Sequence, residues 1–464
     1  MELAGKRVLV LGAGRSGTAA ARFLVARQAR VALNDRKPIE EWSAEARALE
    51  AAGVKLFSGD VPQWLLDHID LLVVSPGVPT KSIAVRYAER ASVEVIGEVE
   101  LAFRFLRGQL VAITGTNGKT TTTALVGRLL ADARLPVQVG GNIGTPLVAL
   151  VDTSRDDGWT VAEISSFQLE TTDRFHPRVA AVLNITPDHM DRYETFNDYA
   201  AAKHRIFRRQ TEEDWAVLNA DDEVVASWAS GLAARKLFFS RRREVERGIF
   251  LRERTLVARL DGGERALLRT DELALRGAHN VENVMAALCM GYACGAPLES
   301  MCETARRFSG VEHRLELVAE VNGVRFYNDS KATNVDAAAK AFEAFAEEAG
   351  RIVAIMGGRG KGAPYAPLAP LVESKARALV LIGEDADRIA KELGPYAPAV
   401  ERAADMRQAV ARAWALAQPR DVVLLAPACA SYDMFVDFEE RGRAFKAAVQ
   451  ELLNEATSRK AEDA

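Results

Sequence analysis

Cysteine is scarce in this chain: four in 464 residues, at positions 289, 294, 302 and 429. Their spacing fits no zinc-binding pattern and suggests no disulfide framework, so a reducing, cytoplasmic setting is expected. Three of the four fall in the apolar helical stretch 281–308, where small buried thiols are the ordinary state. No apolar run reaches the ~18 residues that a membrane-spanning helix needs, so no membrane span is expected. The opening MELAGKRVLVLG runs directly into a strand-like segment and lacks the layout of a secretory signal. An excess of one charge is missing as well. Lys and Arg number 60 against 64 Asp and Glu, a net charge of −4, which argues against a general nucleic-acid binder. The one basic run, Arg241-Arg242-Arg243, is followed at once by acidic residues Glu244 and Glu246 and reads as a solvated loop. There is no short-period repeat and no low-complexity linker. The final TSRKAEDA reads as a frayed polar tail.

What is present is apolar material for several cores. Hydrophobic residues make up 48% of the chain, and the length corresponds to about three domains. The most telling stretch is VAITGTNGKTTT, residues 111–122. A buried strand runs into Gly115-Thr116-Asn117-Gly118, then Lys119, Thr120, Thr121 and an apolar helical pattern. Glycines let backbone N–H groups close around phosphate oxygens, and the helix N-terminus adds partial positive charge. Lys119 would reach the β- and γ-phosphates, and the Thr120 hydroxyl would reach Mg²⁺. The spacing departs from the usual phosphate loop, because position 113 is Ile and the two glycines lie three apart.

Three α/β regions follow one another. In residues 1–97, Val8–Leu11 reads as a strand, Gly12-Ala13-Gly14-Arg15-Ser16-Gly17 as a tight turn, and an Ala-rich helix follows. A second strand ends at Asp35, and Leu71–Val74 runs into Ser75-Pro76-Gly77. This is a Rossmann-like βαβ unit in which Asp35 lies where an acid contacting a ribose is expected. On these residues alone NAD is the obvious ligand, although the loop could serve any nucleotide diphosphate. In residues 98–310, strands at 111–114, 179–185, 216–218 and 237–239 alternate with helical patterns at 197–209 and 281–293, as in a mostly parallel sheet covered on both faces. Residues 311–464 repeat the alternation, with strands at 324–327, 351–356, 378–382 and 422–425.

Polar groups collect at the ends of these strands, where open α/β sheets bind ligands. Glu163, in AEISSFQLE, is a natural Mg²⁺ ligand beside the phosphate loop. NITPDHMDRY carries Asp188, His189 and Asp191, and His189 could bind a metal or a phosphate. Lys203 by itself reads as a surface lysine. In the third region the loops YNDSKATN, GGRGKG and APACASYDMF each follow a strand, and together they suggest a pocket for a small anionic substrate.

In combination these motifs resemble the Mur ligases, the ATP-dependent amino-acid-adding enzymes of peptidoglycan synthesis, over essentially the whole chain. NDSKATN points within that family to the D-glutamate-adding member. The resemblance implies an α/β fold in three domains. These are a Rossmann-like UDP-substrate domain over 1–97, a central ATP-binding domain with a parallel sheet over 98–310, and a Rossmann-like amino-acid domain over 311–464. It implies that UDP-N-acetylmuramoyl-L-alanine, D-glutamate and ATP react through an acyl phosphate to the UDP-muramoyl dipeptide, ADP and phosphate. The cofactors implied are ATP and Mg²⁺ at two sites, with Mn²⁺ as a substitute. The partners are the two small substrates, with no nucleic acid and no membrane, and the chain is expected as a cytoplasmic monomer.

Residue by residue, the resemblance assigns Lys119, Glu163, His189 and Lys203 to catalysis. Gly115, Thr116, Asn117, Gly118, Lys119, Thr120, Thr121, Asn280, Arg314 and Asp329 go to ATP. The UDP-substrate falls to Ser16, Gly17, Asp35, Arg36, Ser75, Pro76, Gly77, Asn142 and His189. Thr333, Lys361, Ser431 and Phe438 take D-glutamate. The metal ligands are Thr120, Glu163, His189 and Lys203, the last as a carbamate. Arg36 directly after Asp35, Ala426 at the head of APACAS, and Tyr432 after Ser431 depart from the family pattern. Other readings stay open: another Mur-type or folylpolyglutamate synthase-like amino-acid ligase, an NAD-dependent dehydrogenase with a phosphate-loop domain, and a non-catalytic nucleotide-binding protein.

Overall fold

The computed structural model describes residues 1–462 except 189–191, 262, 276, 346–349 and 361, with side chains undescribed at 336 and beyond 454. Contacts divide the chain into two compact units, residues 1–274 with 279–308, and residues 275–278 with 309–464. No helix among the described residues is long and apolar enough to cross a membrane.

The first unit holds two sheets. One is five-stranded and parallel throughout, in the order Lys55–Ser58, Arg30–Asp35, Arg7–Leu11, Leu71–Val74, Glu94–Gly97. Its central strands are continuous apolar runs because helices cover both faces. Strand order reverses beside Arg7–Leu11, so the Gly12–Gly17 turn and the Ser75–Gly77 loop leave the sheet side by side. The other sheet has nine strands. Gln109–Thr114 lies between Val179–Val182 and Trp159–Glu163, all parallel, and helix Lys119–Asp132 follows it. This again is a switch point, and it sets the phosphate loop beside Glu163.

Three strands at the far end of this sheet are not evident as strands in the sequence: Gly248–Arg252, Thr255–Leu260 and Gly263–Arg269, the last two pairing antiparallel. Arg and Glu interrupt their apolar pattern because the outermost strand is an exposed edge. Charged side chains there discourage pairing with another chain. The strand expected over 179–185 stops at Val182, and from Leu183 on the chain turns into the site. The Arg241–Arg243 run is irregular and largely exposed, as its composition implies.

The second unit contains one six-stranded sheet, in the order Glu316–Val321, Val324–Asn328, Val422–Leu425, Ile352–Gly357, Ala376–Ile382, Val400–Arg402. Only the first pair is antiparallel. The three polar loops read from the sequence leave its three adjacent central strands. Helix Phe438–Glu462 packs on this sheet through Phe445 and Val449. It runs through most of the segment expected to fray, and Ala, Glu, Lys and Arg there all favour a helix. All four cysteines are buried and free.

Candidate active site

The phosphate loop has the backbone its glycines allow. Gly115 and Gly118 lie at φ 151° and 81°, conformations that side-chain-bearing residues rarely adopt. Gly118 also has no room for a side chain, since a Cβ would fall 2.2 Å from Asn283 Oδ1. Asn283 in turn donates to Asn280 Oδ1 at 3.0 Å, which brings Asn280 and the helix Ala278–Ala293 against the loop. Lys119 Nζ donates to the carbonyls of Gly115 and Thr116 at 2.8 and 2.7 Å, holding an ammonium over the turn. The Asn117 N–H is pinned by Asn184 Oδ1 at 2.8 Å.

Glu163 is the hub. Its side chain is buried and accepts from Thr120 Oγ1 and from Asn142 Nδ2, each at 2.8 Å. The Asn142 N–H also donates to the Glu163 carbonyl. Three residues far apart in sequence thus close one oxygen-rich junction at the mouth of the loop. Thr121, also buried, lies one step along the helix.

Beneath the loop lies Lys203, 2% exposed. Its ammonium donates to the Gly115 carbonyl at 2.8 Å and sits 4.8 Å from the centre of the Tyr199 ring. Burial, followed by repulsion from Lys119, drives its pKa well below the usual lysine range, against the pull of Asp188 and Glu163. The reading of Lys203 as a surface lysine is therefore corrected. Sequence spacing could not reveal that its helix, Phe196–His204, turns this residue onto the sheet. His189 lies outside the described residues.

The first sheet supplies a cavity of about 670 Å³ at its switch point. Ser16, Asp35, Arg36 and the Ser75–Gly77 loop line it, and Asn142 reaches it from the nine-stranded sheet. Gly17 does not line the cavity. A Cβ there would fall 1.8 Å from the Gly12 carbonyl oxygen, so Gly17 permits close packing under the turn. Asp35 is engaged as well: its two carboxylate oxygens accept the N–H groups of Ala13 and Lys37 at 2.8 and 3.0 Å. The acid that marks a ribose contact in a dinucleotide site here braces the glycine turn. Several lining residues escaped the sequence reading, among them Arg15 and Gln168. Arg192 escaped it too. It donates to the Pro76 carbonyl at 2.8 Å and to Glu170 at 3.1 Å while stacking on Phe167, which ties the cavity rim to the nine-stranded sheet.

In the second unit, Asp329 is buried, and burial raises its pKa to about 6 against the opposing pull of Arg314. Ser431 is 2% exposed, and Phe438 opens the long helix. Thr333 lies in the loop that follows Val324–Asn328. Lys361 lies outside the described residues. Among the described residues one group could suit a metal ion, Glu312, His313 and Glu316. Lys446 Nζ already bonds both carboxylates, at 2.8 and 2.6 Å, so the group reads as an ion network.

A chain with a phosphate loop, a buried carboxylate hub and a nucleotide-sized crevice has the parts of a nucleotide-dependent group-transfer enzyme. Family models match nearly its whole length: Mur ligase MurD-like, N-terminal domain, over residues 6–97; Mur ligase middle domain over 113–291; and Mur ligase, glutamate ligase domain, over 313–429. The chain belongs to the Mur ligase family. It is 49% identical over 448 residues to the UDP-N-acetylmuramoylalanine--D-glutamate ligase of Acidobacterium capsulatum, covering 96% of each chain. Against the ligase of the same name from Pelotomaculum thermopropionicum it is 49% identical over 450 residues, covering 96% of this chain and 98% of the relative. Among solved structures, UDP-N-acetylmuramate-alanine ligase MurC of Thermotoga maritima shares the fold with a TM-score of 0.57 at 19% identity, covering 96% of this chain and 99% of that one.

Proposed function

We propose that the chain is an ATP-dependent ligase that joins D-glutamate to UDP-N-acetylmuramoyl-L-alanine, giving the UDP-muramoyl dipeptide, ADP and phosphate in cytoplasmic peptidoglycan precursor synthesis. The observation that carries this reading is the Thr120–Glu163–Asn142 junction above buried Lys203. It occurs in a chain 49% identical along its length to two ligases bearing that reaction in their name.

The residues fit a nucleoside triphosphate. Loop amides from Gly115 to Gly118, the following helix N-terminus and Lys119 would bind the β- and γ-phosphates. Thr121 lies within the same helix start. Asn280 is assigned to adenine, and Arg314 and Asp329 to the nucleotide, by resemblance alone. Hard oxygen donors on Thr120 and Glu163 fit Mg²⁺ or Mn²⁺, which would supply charge neutralisation on the phosphates. A second ion is assigned to His189 and carbamylated Lys203. The depressed pKa of Lys203 supports this, because an uncharged amine can attack CO₂, forming an N–C bond and releasing a proton, whereas an ammonium cannot.

The cavity at the first switch point would take the UDP-substrate through Ser16, Arg36 and Ser75–Gly77, with Gly17 and Asp35 shaping the turn from below and Asn142 at the inner end. The substrate carboxylate would attack the γ-phosphorus, with ADP leaving. The amine of D-glutamate would then attack the acyl carbon, lose a proton and expel phosphate. A carboxylate is a poor electrophile and its phosphate anhydride a good one, so the protein's task is positioning and charge stabilisation. Thr333, Lys361, Ser431 and Phe438 are assigned to D-glutamate. On this reading the UDP-substrate, ATP and amino-acid regions are 1–97, 98–310 and 311–464, in a chain acting as a monomer.

Phosphate release with Mg-ATP and UDP-N-acetylmuramoyl-L-alanine tests the reading, comparing D- with L-glutamate. Release confined to the D-isomer is expected, and release with neither would overturn it.

A further inference from the structure

Among the described residues, the largest fully buried side chain is a cation that the reaction scheme does not use. Arg441, in the first turn of helix Phe438–Glu462, is 1% exposed. Among the described residues no carboxylate forms an ion pair with it. Asp433 attracts its charge without forming an ion pair, and burying a guanidinium that lacks a direct ion pair is costly, while truncating one leaves its partners unpaired. Such a group persists where its hydrogen bonds are needed.

Those bonds go to the loops of the second sheet. Nε donates to Ser330 Oγ at 3.0 Å and one terminal nitrogen to the Ser330 carbonyl at 2.8 Å. The other terminal nitrogen donates to the Cys429 carbonyl at 3.1 Å. Ser330 Oγ passes its own proton to the Phe438 carbonyl at 2.7 Å, closing a ring back to the helix. The loop after Ile352–Gly357 joins the same knot. A Cβ on Gly358 would fall 3.2 Å from the guanidinium, and Arg359 and Ala430 exchange backbone hydrogen bonds at 3.0 Å.

The fork therefore grips the peptide units three residues before Thr333 and two before Ser431, and its own helix begins at Phe438. We infer that Arg441 is the positioning residue of the amino-acid site, holding the loops that bear Thr333, Ser431 and Phe438 in register so that their polar groups converge on one small dianionic substrate. This rests on the proposed assignment of those three residues to D-glutamate. Arginine suits the task because its planar donors are fixed relative to one another and it stays charged when buried. Lysine would keep the charge and lose the fork.

The test is steady-state kinetics of the full chain with each of the three substrates varied in turn, alongside thermal unfolding. Arg441→Lys is expected to raise KM for the amino acid about tenfold, and Arg441→Gln about a hundredfold, with KM for ATP and for the UDP-substrate within about threefold of wild type. Partial rescue by Lys over Gln separates positioning from mere folding. Ser330→Ala removes one acceptor without stranding the charge. It decides the matter if the arginine variants do not fold, with an expected rise of about threefold in amino-acid KM alone. Unchanged amino-acid KM in the folded variants, or an equal rise in all three KM values, would overturn the inference. Wild type that turns over another amino acid instead of D-glutamate would sink the proposed substrate and not this inference, which is then tested with the amino acid it does use.

Discussion

Two buried cations, one in each unit, sit under strand-end loops without an ion-paired carboxylate among the described residues. Lys203 lies beneath the phosphate loop, and Arg441 lies among the loops of the second sheet. Both donate to backbone carbonyls, yet they meet the cost of burial in opposite ways. The lysine pKa is pushed well below the usual range by burial, toward the uncharged amine. The arginine falls only to about 10 under burial and keeps its charge, spending its donors on geometry. A buried lysine reads as a reagent and a buried arginine as a bracket.

The sharpest way to break this contrast is to exchange the chemistry. Lys203→Arg is expected to cost about a thousandfold in kcat, since arginine cannot present a neutral amine. Phosphate release near the wild-type rate would show that Lys203 is only a structural cation. Stability provides a second readout. Because the folded pKa of Lys203 lies below the unfolded 10.5, the unfolded chain binds the extra proton, and this group makes stability rise with pH up to that value. Lys203→Met should flatten that rise in thermal unfolding curves.

Lys119→Ala should cost somewhat less, about a hundredfold in turnover, because the loop amides and the helix N-terminus remain. Turnover unchanged in this variant would refute the phosphate-loop assignment.

Buried anions sharpen the same lesson. The short helix Glu98–Phe103, which follows the last strand of the first sheet, carries two of them. Glu100 is fully satisfied, accepting the N–H groups of Asp173, Arg174 and Phe175 and the Arg104 guanidinium. Glu100→Ala should destabilise by about 3 kcal/mol in denaturant unfolding, since it leaves three buried N–H donors unpaired and takes from Arg104 one of its two carboxylate partners, Glu94 being the other. Loss of under 1 kcal/mol would mean that the helix reseats.

Glu98 is the incomplete case. One oxygen accepts the Val148 N–H at 2.7 Å, while the other is buried with no partner. Burial raises its pKa from the ordinary 4.5 to about 7. The folded chain then binds the extra proton, so this group makes stability fall as pH rises from 4.5 to 7 and adds no further slope above that. Glu98→Gln should remove a loss of about 3 kcal/mol between those limits, appearing as a Tm gain over wild type that grows from about pH 5 to pH 7 and then levels off. A Tm difference independent of pH would show that Glu98 ionises normally.

The strand–turn–helix order around the candidate loop was legible because it is local. Strand, glycine turn and helix N-terminus lie within twelve residues at 111–122, and that order of elements carries the phosphate reading although the glycine spacing departs from the usual loop. Glu163 was legible because it ends an apolar run, and strand ends are where α/β sheets bind. The dinucleotide reading rested on the glycine turn together with Asp35, and it weakened once one carboxylate oxygen was found bracing that turn through the Ala13 N–H while the other accepts the Lys37 N–H of its own loop. Of the three strands missed at 248–269, the outermost, Gly263–Arg269, was hidden by charge on an exposed edge, which masks the strand pattern.

The sequence by itself determined three successive α/β regions, the family to which they belong and the polar loops at their strand ends. Backbone conformation and local polarity are properties of neighbouring residues. Only the tertiary structure decided which charges are buried: Lys203 under the loop, Arg441 among the loops of the second sheet, Glu98 with one oxygen unpartnered. Burial is a sum over residues distant in sequence, and neither composition nor spacing records which of them will surround a given side chain.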